Sequence, residues 1–315
     1  MGNRPWLAAT DRLDRAAMTR PILIAGPTAA GKSALALQLA KELGGIIINA
    51  DALQIYDCWQ LLTARPPEAE TQQAPHHLYG HVGRNASYSV GHWLRDVAPL
   101  LKDPPGPPII IGGTGLYFMA LTEGLAEIPD IPKAIRAEVE RTPPSDLAEG
   151  LRRDDPESAA KIDMDNPARV RRASEVLRAT GKGLAAWHAL TPPPLVPTTQ
   201  ATCAVLGAER DWLNHRINLR FDQMLEQGVL AEVEAYYKAG WDPTAPSAQA
   251  IGAKELVAHL QGTLDLSTAA NSAKTQTHQY AKRQRTWFRR RMSTWAIVDA
   301  ADTNRAFQKI LKSYA

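Results

Sequence analysis

Residues 26–33 read Gly-Pro-Thr-Ala-Ala-Gly-Lys-Ser, and no other stretch constrains the fold as much. The octet fits G-x4-G-K-[ST]. It stands between an apolar run, Pro21-Ile22-Leu23-Ile24-Ala25, and a helical pattern over 32–43 that ends at Gly44-Gly45. A strand, this loop and a helix make a P-loop. Glycine freedom lets successive backbone N–H groups converge on phosphate oxygens, and the helix N-terminus adds partial positive charge. Gly26, Thr28, Ala29, Ala30, Gly31, Lys32 and Ser33 are therefore the expected phosphate-binding residues. Lys32 supplies a cation and Ser33 a hydroxyl for Mg²⁺. The loop alone says only that a phosphate chain binds.

The surrounding pattern sets the fold class. Ile46-Ile47-Ile48 reads as a second strand, 89–102 as a helix with Ser89 at its cap, and Ile109-Ile110-Ile111 as a third strand. Strands alternating with helices imply a parallel sheet with right-handed crossovers. From Ile131 to Gly181 the pattern is helical, broken and charged, and a Pro-rich linker follows at 191–197. Residues 201–207 restore a strand, helical segments run to about Arg291, and 295–298 read as a last strand. The expectation is an α/β fold: a P-loop-type parallel sheet core with helices on both faces and an inserted all-helical subdomain. Its parts are an N-terminal extension over 1–20, a discontinuous core over 21–120 and 191–315, and a helical insertion over 121–190. Met18 is a candidate alternative start.

Two further motifs follow predicted strands, and loops at the C-terminal ends of parallel strands share one crevice. The first is Asn49-Ala50-Asp51-Ala52-Leu53-Gln54-Ile55-Tyr56. Asp51 there is a metal ligand, a general base or simply a helix cap. The second is Gly112-Gly113-Thr114-Gly115-Leu116-Tyr117, whose glycines admit close backbone approach to a ligand or merely make a tight turn.

Taken in order, these motifs resemble the tRNA dimethylallyltransferases, the isopentenyl-tRNA transferase family. Further matches are Leu62-Thr63-Ala64-Arg65-Pro66, Pro75-His76-His77-Leu78, Asn166-Pro167-Ala168-Arg169-Val170-Arg171-Arg172-Ala173, Arg216-Ile217-Asn218 with Arg220-Phe221-Asp222-Gln223-Met224-Leu225, and Lys282-Arg283-Gln284 with Thr286-Trp287-Phe288-Arg289. The resemblance spans about residues 21–300. It implies transfer of a dimethylallyl group from dimethylallyl diphosphate to N6 of adenine 37, beside the anticodon of tRNAs reading codons that begin with U. The P-loop would then hold the diphosphate leaving group, with Mg²⁺ as cofactor. The resemblance implies that Asp51, Thr114 and Arg220 are catalytic, with Asp51 the base that takes the N6 proton; Arg216 is the weaker choice of arginine. It sets Asp51, Ala52, Leu53, Gln54, Thr114, Arg136, Arg169, Arg172, Lys282, Arg283, Gln284, Trp287 and Arg289 against tRNA. Ala52 departs from the family, which often has Ser there, and Ser33 stands where Thr is frequent. Gly252 is followed by Ala253 where relatives often carry Gly-Tyr, so a tRNA contact at Gln249 or Lys254 carries over weakly.

Charge agrees with a nucleic-acid partner only locally. Lys and Arg total 36 against 33 Asp and Glu, a net +3. Yet from Lys274 to Arg291 there are seven Lys/Arg and no acid, interleaved with Tyr280, Trp287 and Phe288. An all-basic segment favours a polyanion, and aromatics among the cations serve either as platforms for unstacked bases or as core anchors. A second cluster, Arg169, Arg171, Arg172, Arg178 and Lys182, lies in the insertion. The insertion and the 282–291 helix are expected to grip the anticodon stem-loop from two sides. Two cysteines, Cys58 and Cys203, make no disulfide scaffold, and no run of ~20 apolar residues offers a membrane span. The expectation is a cytoplasmic monomer. The histidines at 76, 77 and 81 lack the cysteine pairs of a zinc site. A small-molecule P-loop kinase and a free-nucleotide prenyltransferase remain as alternatives. A kinase should need a site for adenine and typically a mobile lid with arginines, whereas a free-nucleotide prenyltransferase should not need the long basic helix or the helical insertion; both of these features favour tRNA.

Overall fold

The computed structural model describes residues 20–314. The suggested start at Met18, and the expected extension apart from Arg20, lie outside them. The described chain forms two compact units, one of residues 123–195 and one of the residues on either side.

The larger unit is built on a six-stranded, all-parallel sheet in the order β3-β2-β4-β1-β5-β6. In chain order it begins with β1 (Ile22–Ala25), α1 (Lys32–Leu43), β2 (Ile46–Asn49), α2 (Glu68–Thr71), β3 (His76–His77), α3 (Val90–Leu101), β4 (Pro108–Gly112) and α4 (Gly115–Glu123). The smaller unit supplies α5 (Lys133–Arg141), α6 (Pro144–Asp154), α7 (Pro156–Lys161), α8 (Pro167–Thr180) and α9 (Leu184–His188). The chain then returns with β5 (Thr202–Gly207), α10 (Arg210–Glu226), α11 (Val229–Lys238), α12 (Ala253–Leu260), α13 (Leu266–Arg291), β6 (Ala296–Asp299) and α14 (Thr303–Tyr314).

The central strands are apolar on both faces because both are covered. Alternation sends Ile22 and Ile24 of β1 to one side, where they meet Leu35 and Leu39 of α1, Leu213 and Ile217 of α10, and Ala306 and Ile310 of α14. Leu23 and Ala25 go to the other side, against Trp93 and Val97 of α3, Phe118 and Leu121 of α4, and Phe288 and Met292 of α13. A third cluster joins Ile55, Trp59 and Leu62 to Phe221, Met224, Val233 and Leu256. The smaller unit has its own core around Val139, Leu147, Leu151, Val170 and Val176.

Local chemistry explains the element ends. Gly44 takes the left-handed conformation that closes α1, with φ 64°. Ser89 accepts from the His92 N–H and opens α3. Asp265 accepts from the Thr268 N–H and opens α13, which runs 26 residues, about 39 Å of helix. Pro75-His76-His77-Leu78 contributes the two-residue edge strand β3. The sequence pattern does not single out α14, whose short amphipathic face closes one side of the sheet.

Candidate active site

Parallel strands present all their C-terminal ends on one edge, and that edge gathers the three motifs. The P-loop leaves β1, Asp51 follows β2, and Gly113 follows β4. Ala29 and Gly31 both have left-handed backbones, with φ 61° and 88°. Such a residue beside right-handed neighbours turns consecutive N–H groups inward, making a nest for anions. At Ala29 the conformation is strained, as is common where backbone is held for a ligand.

Two cations flank the loop. The Lys32 ammonium donates to the Gly26 and Pro27 carbonyls at 3.0 and 2.8 Å. Burial pushes its pKa down to about 8; Asp51 opposes the fall and Arg220 adds to it. Arg220, from α10, donates from Nη2 to the Thr28 hydroxyl at 2.6 Å. Burial likewise lowers it to about 10, against a raising effect of Asp51. One turn earlier, Arg216 donates from Nε to the Ala29 carbonyl at 2.8 Å and lies over the Trp212 ring. Its guanidinium thus reaches the P-loop backbone although the residue is exposed.

Asp51 is held in place from its own backbone. The side chain of Asn49, fully buried, accepts from the Asp51 N–H at 2.9 Å and donates to the Asp51 and Leu78 carbonyls, each at 3.0 Å. Trp93 Nε1 donates to the Asn49 carbonyl at 2.7 Å. Asp51 Oδ1 accepts from the Leu53 N–H at 3.0 Å. Thr114 Oγ1 accepts from the Ala52 N–H at 2.9 Å, which ties the Gly113 loop to the Asp51 loop. This bond leaves the Thr114 hydroxyl hydrogen available. Gln54 spends both amide hydrogens on the Thr63 and Ala64 carbonyls, at 2.8 and 2.9 Å. Only its oxygen remains for a ligand. Asp51, Thr28 and Arg220 share a small cleft, about 70 Å³, with Leu53, Leu62, Thr63, Ile217, Phe221, Met224 and Tyr280.

Gln284 joins the two phosphate-side loops. Its Oε1 accepts from the Thr28 N–H at 2.9 Å, and its Nε2 donates to the Gly113 carbonyl at 3.0 Å. The side chain is 5% exposed. Both ends are used inside the protein, as a clasp between P-loop and Gly113 loop. Trp287 is also held by this loop. It packs over Gly115, where any Cβ would overlap its ring, and meets Phe288 edge to face at 5.6 Å. Phe288 is core. Phe288 thus anchors α13 in the core, with Trp287 half-buried beside it.

The remaining cations of α13 stay available. Lys282, Arg285 and Arg289 line a larger cleft, about 740 Å³, floored by Leu206, Leu213, Phe288 and Met292. Arg283 and Arg290 share the Trp287 side by helical spacing. Among the described residues none of these five is ion-paired, whereas Lys274 binds Asp222. The smaller unit differs. There Arg169 lies 3.6 Å from Asp163, Arg171 3.7 Å from Glu140, Arg172 3.5 Å from Glu175 and Arg178 2.6 Å from Glu138. Residues 123–195 hold 11 Lys/Arg against 13 Asp/Glu. The expected basic cluster of the insertion is therefore charge-compensated, and the positive excess belongs to the larger unit. Arg136 is exposed and unpaired among the described residues.

Two supporting residues escape sequence reading. Asn49 is one; a polar residue ending an otherwise apolar strand is its signal. Glu232 is the other. Its carboxylate accepts from the N–H groups of Gln60, Leu61 and Leu62, fixing the turn that carries Leu62 and Thr63 into the cleft. Nothing local in the sequence announces it. The histidines serve the scaffold: His92 caps α3, and His81 lies 3.4 Å from Asp96. Among the described residues, no group of three or more His, Cys, Asp or Glu is disposed to hold a metal ion. Nor is any helix long and apolar enough to cross a membrane.

Comparison with known proteins gives a consistent result. A family model described as IPP transferase matches residues 54–291, and one described as isopentenyl transferase matches residues 20–79. The chain is 57% identical over 277 residues to a tRNA dimethylallyltransferase of Cereibacter sphaeroides (strain KD131), covering 88% of each chain. It is 54% identical over 286 residues to that of Ruegeria sp. (strain TM1040), covering 91% of this chain and 98% of the other. Among solved structures, the tRNA isopentenylpyrophosphate transferase of Bacillus halodurans superposes with TM-score 0.68 at 31% identity, covering 94% of this chain and 96% of that one. A eukaryotic dimethylallyltransferase acting on tRNA superposes with TM-score 0.80 at 28% identity, covering 93% of this chain and 78% of that one.

Proposed function

This chain belongs to the IPP transferase family, and on that premise we propose that it is a tRNA dimethylallyltransferase. The reaction moves a dimethylallyl group from dimethylallyl diphosphate to N6 of adenine 37 in the anticodon stem-loop of tRNAs reading codons that begin with U. The products are N6-dimethylallyladenosine and diphosphate. The observation that carries this reading is the meeting of one carboxylate, Asp51, with Thr28 and Arg220 in a single apolar-walled cleft beside the P-loop. The carboxylate can take the proton of a weakly nucleophilic amine, and Leu53, Leu62, Ile217, Phe221 and Met224 give the same cleft apolar surface for a prenyl chain.

The residues divide the work. The nest amides around Ala29 to Ser33, with Lys32 and Arg220, take the diphosphate. Arg216 lies beside them at Ala29. Leu62, Ile217, Phe221 and Met224 offer apolar surface to the prenyl chain. The bond from C1 to the bridging diphosphate oxygen breaks with its electron pair, which stays on diphosphate. N6 forms the new bond to C1 and gives its proton to Asp51. Lys32 and Arg220 are already charged and in place when negative charge grows on the leaving oxygen, so little reorganisation is needed. Asn49 and the Thr114 hydroxyl hold the Asp51 loop at a fixed distance from that charge.

The site also fits Mg²⁺. Ser33 is exposed at the first turn of α1, where its hydroxyl would hold an ion that takes the rest of its shell from phosphate oxygens and water. When bound, Mg²⁺ neutralises developing charge on the diphosphate.

The test is incubation with an unmodified anticodon stem-loop, Mg²⁺ and labelled dimethylallyl diphosphate. Label entering adenine 37 of the RNA is the expected result. Label entering free adenine nucleotide, or none transferred, would overturn the assignment.

A further inference from the structure

We propose that Leu116 fills the gap that the target adenine leaves in its base stack, making it a positioning residue for the reaction. The inference rests on the function proposed above. Asp51 lines a cleft of only about 70 Å³, too small to admit an adenine together with its stacked neighbours, so the target base must be extruded to reach it. Extrusion leaves the neighbouring bases facing a void, and proteins that unstack bases commonly insert an apolar wedge there.

The rim carries one side chain suited to that task. Leu116 is 53% exposed at the start of α4. It follows directly on Gly113, which abuts the Asp51 carboxylate, on Thr114, which bonds the Ala52 N–H, and on Gly115, which seats Trp287. The next two residues, Tyr117 and Phe118, are buried in the core below the sheet. Leu116 is thus an exposed apolar tip on a rigid base. The larger unit exposes two other large apolar residues to a similar degree, Leu219 and Ile297. Leu219 lies within α10, away from the loops that follow the strands. Ile297 lies on β6, the edge strand farthest from β2 in the sheet order.

The surroundings of Leu116 fit a backbone on both sides of an extruded nucleotide. Trp287 packs against Gly115, and Arg283 and Arg290 lie on that same side of α13 by their spacing. Arg283 also covers the ring of Tyr280 at 5.9 Å, and Tyr280 lines the Asp51 cleft. Arg283 and Arg290, not ion-paired among the described residues, thus share the helix face whose Trp287 meets Gly115, the residue before Leu116, and phosphates flanking the target would run there.

The experiment uses a stem-loop with 2-aminopurine in place of the target adenine; it fluoresces when unstacked and cannot accept the prenyl group. Wild-type protein should raise the fluorescence severalfold at saturation. Leu116→Ala should bind the same RNA within about twofold but lose most of the rise, while Leu116→Met keeps it. On the reactive stem-loop, kcat/KM of Leu116→Ala should fall about tenfold, as expected from the apolar surface of one leucine. The loss should vanish when the nucleotide 3′ of the target is abasic, because the stack to be broken is already weakened. Equal fluorescence and turnover for Leu116→Ala and wild type would overturn the proposal, and so would an equal loss on the abasic RNA. No fluorescence rise with wild type would also overturn it. If wild type fails to prenylate any stem-loop, the proposed function itself falls; if it prenylates normally and Leu116→Ala behaves as wild type, this inference falls alone.

Discussion

Lys32 places two pH effects of opposite sign on one side chain. Its ordinary value is 10.5, and burial brings it to about 8 in the folded chain. The folded value lies below the unfolded one, so the charged ammonium costs stability wherever both states are protonated, that is, below about pH 8. The cost is relieved as pH rises from about 8 to 10.5, and melting temperature should gain over that window relative to Lys32→Met. Donor binding runs the other way, because the diphosphate needs the ammonium. A group titrating near 8 is about ten-elevenths protonated at pH 7 and one-eleventh at pH 9, so kcat/KM for the donor should fall about tenfold between them. The donor phosphates do not confound this limb, since their last ionisation lies near pH 6 and is complete above about 8. Once diphosphate is bound, its charge holds the proton on Lys32, and kcat should stay flat to higher pH. Lys32→Arg should lower activity but remove the limb near pH 8, since guanidinium does not titrate there. Lys32→Met should bind donor poorly yet melt higher than wild type at pH 7. Measurement needs steady-state kinetics from about pH 6.5 to 9.5, bracketing the folded value, and a melt series over the same range. A limb that persists unchanged in Lys32→Arg, or a Lys32→Met protein that melts lower at pH 7, would refute the reasoning.

Other perturbations separate the remaining roles. Asp51→Asn should bind the stem-loop normally and lose about 10²–10⁴ in kcat, the range of general base catalysis; full rate with normal binding would remove Asp51 as the base. Asn49→Ala orphans the Asp51 N–H and the Leu78 carbonyl, so stability should fall by about 1–3 kcal/mol and kcat should drop more than KM rises, as chemical denaturation and initial rates will show. Glu232→Ala leaves the N–H groups of Gln60, Leu61 and Leu62 without their acceptor; the expected cost is about 1–3 kcal/mol with a raised donor KM, and Glu232→Gln should recover only part of it. Removing Arg283 or Arg289 should flatten the slope of log affinity against log salt by about 0.7–0.9 for each phosphate no longer neutralised; salt-independent stem-loop binding by wild type would contradict this.

The contrast between the readable and the hidden follows from the range over which each feature acts. The P-loop, Asp51 and Gly113 loops each follow a strand, so one topological rule brings them to one edge of the sheet, and the apolar alternation of β1 fixes both faces. Arg220 is reached only through its place in a motif, because nothing in α10 shows that its guanidinium meets Thr28 across 192 residues. Asn49 and Glu232 act on backbone N–H groups, and backbone partners leave no mark in side-chain patterns. The internal contacts of Gln284 and Trp287 are hidden for a related reason. Both residues sit in a run of cations, and spacing tells which helix face a residue occupies but not whether that face meets solvent or two glycine loops. The same limit governs charge. Arginines at 169, 171, 172 and 178 lie within 4 Å of carboxylates, three of them from 138, 140 and 163, whereas those at 283, 285, 289 and 290 do not. Exposed ion pairs contribute little energy, but each removes most of the field of its arginine. The net +3 therefore arises from a compensated unit at 123–195 and an uncompensated helix at 282–291. The helix, more than the insertion, is where a polyanion gains by releasing its counterions.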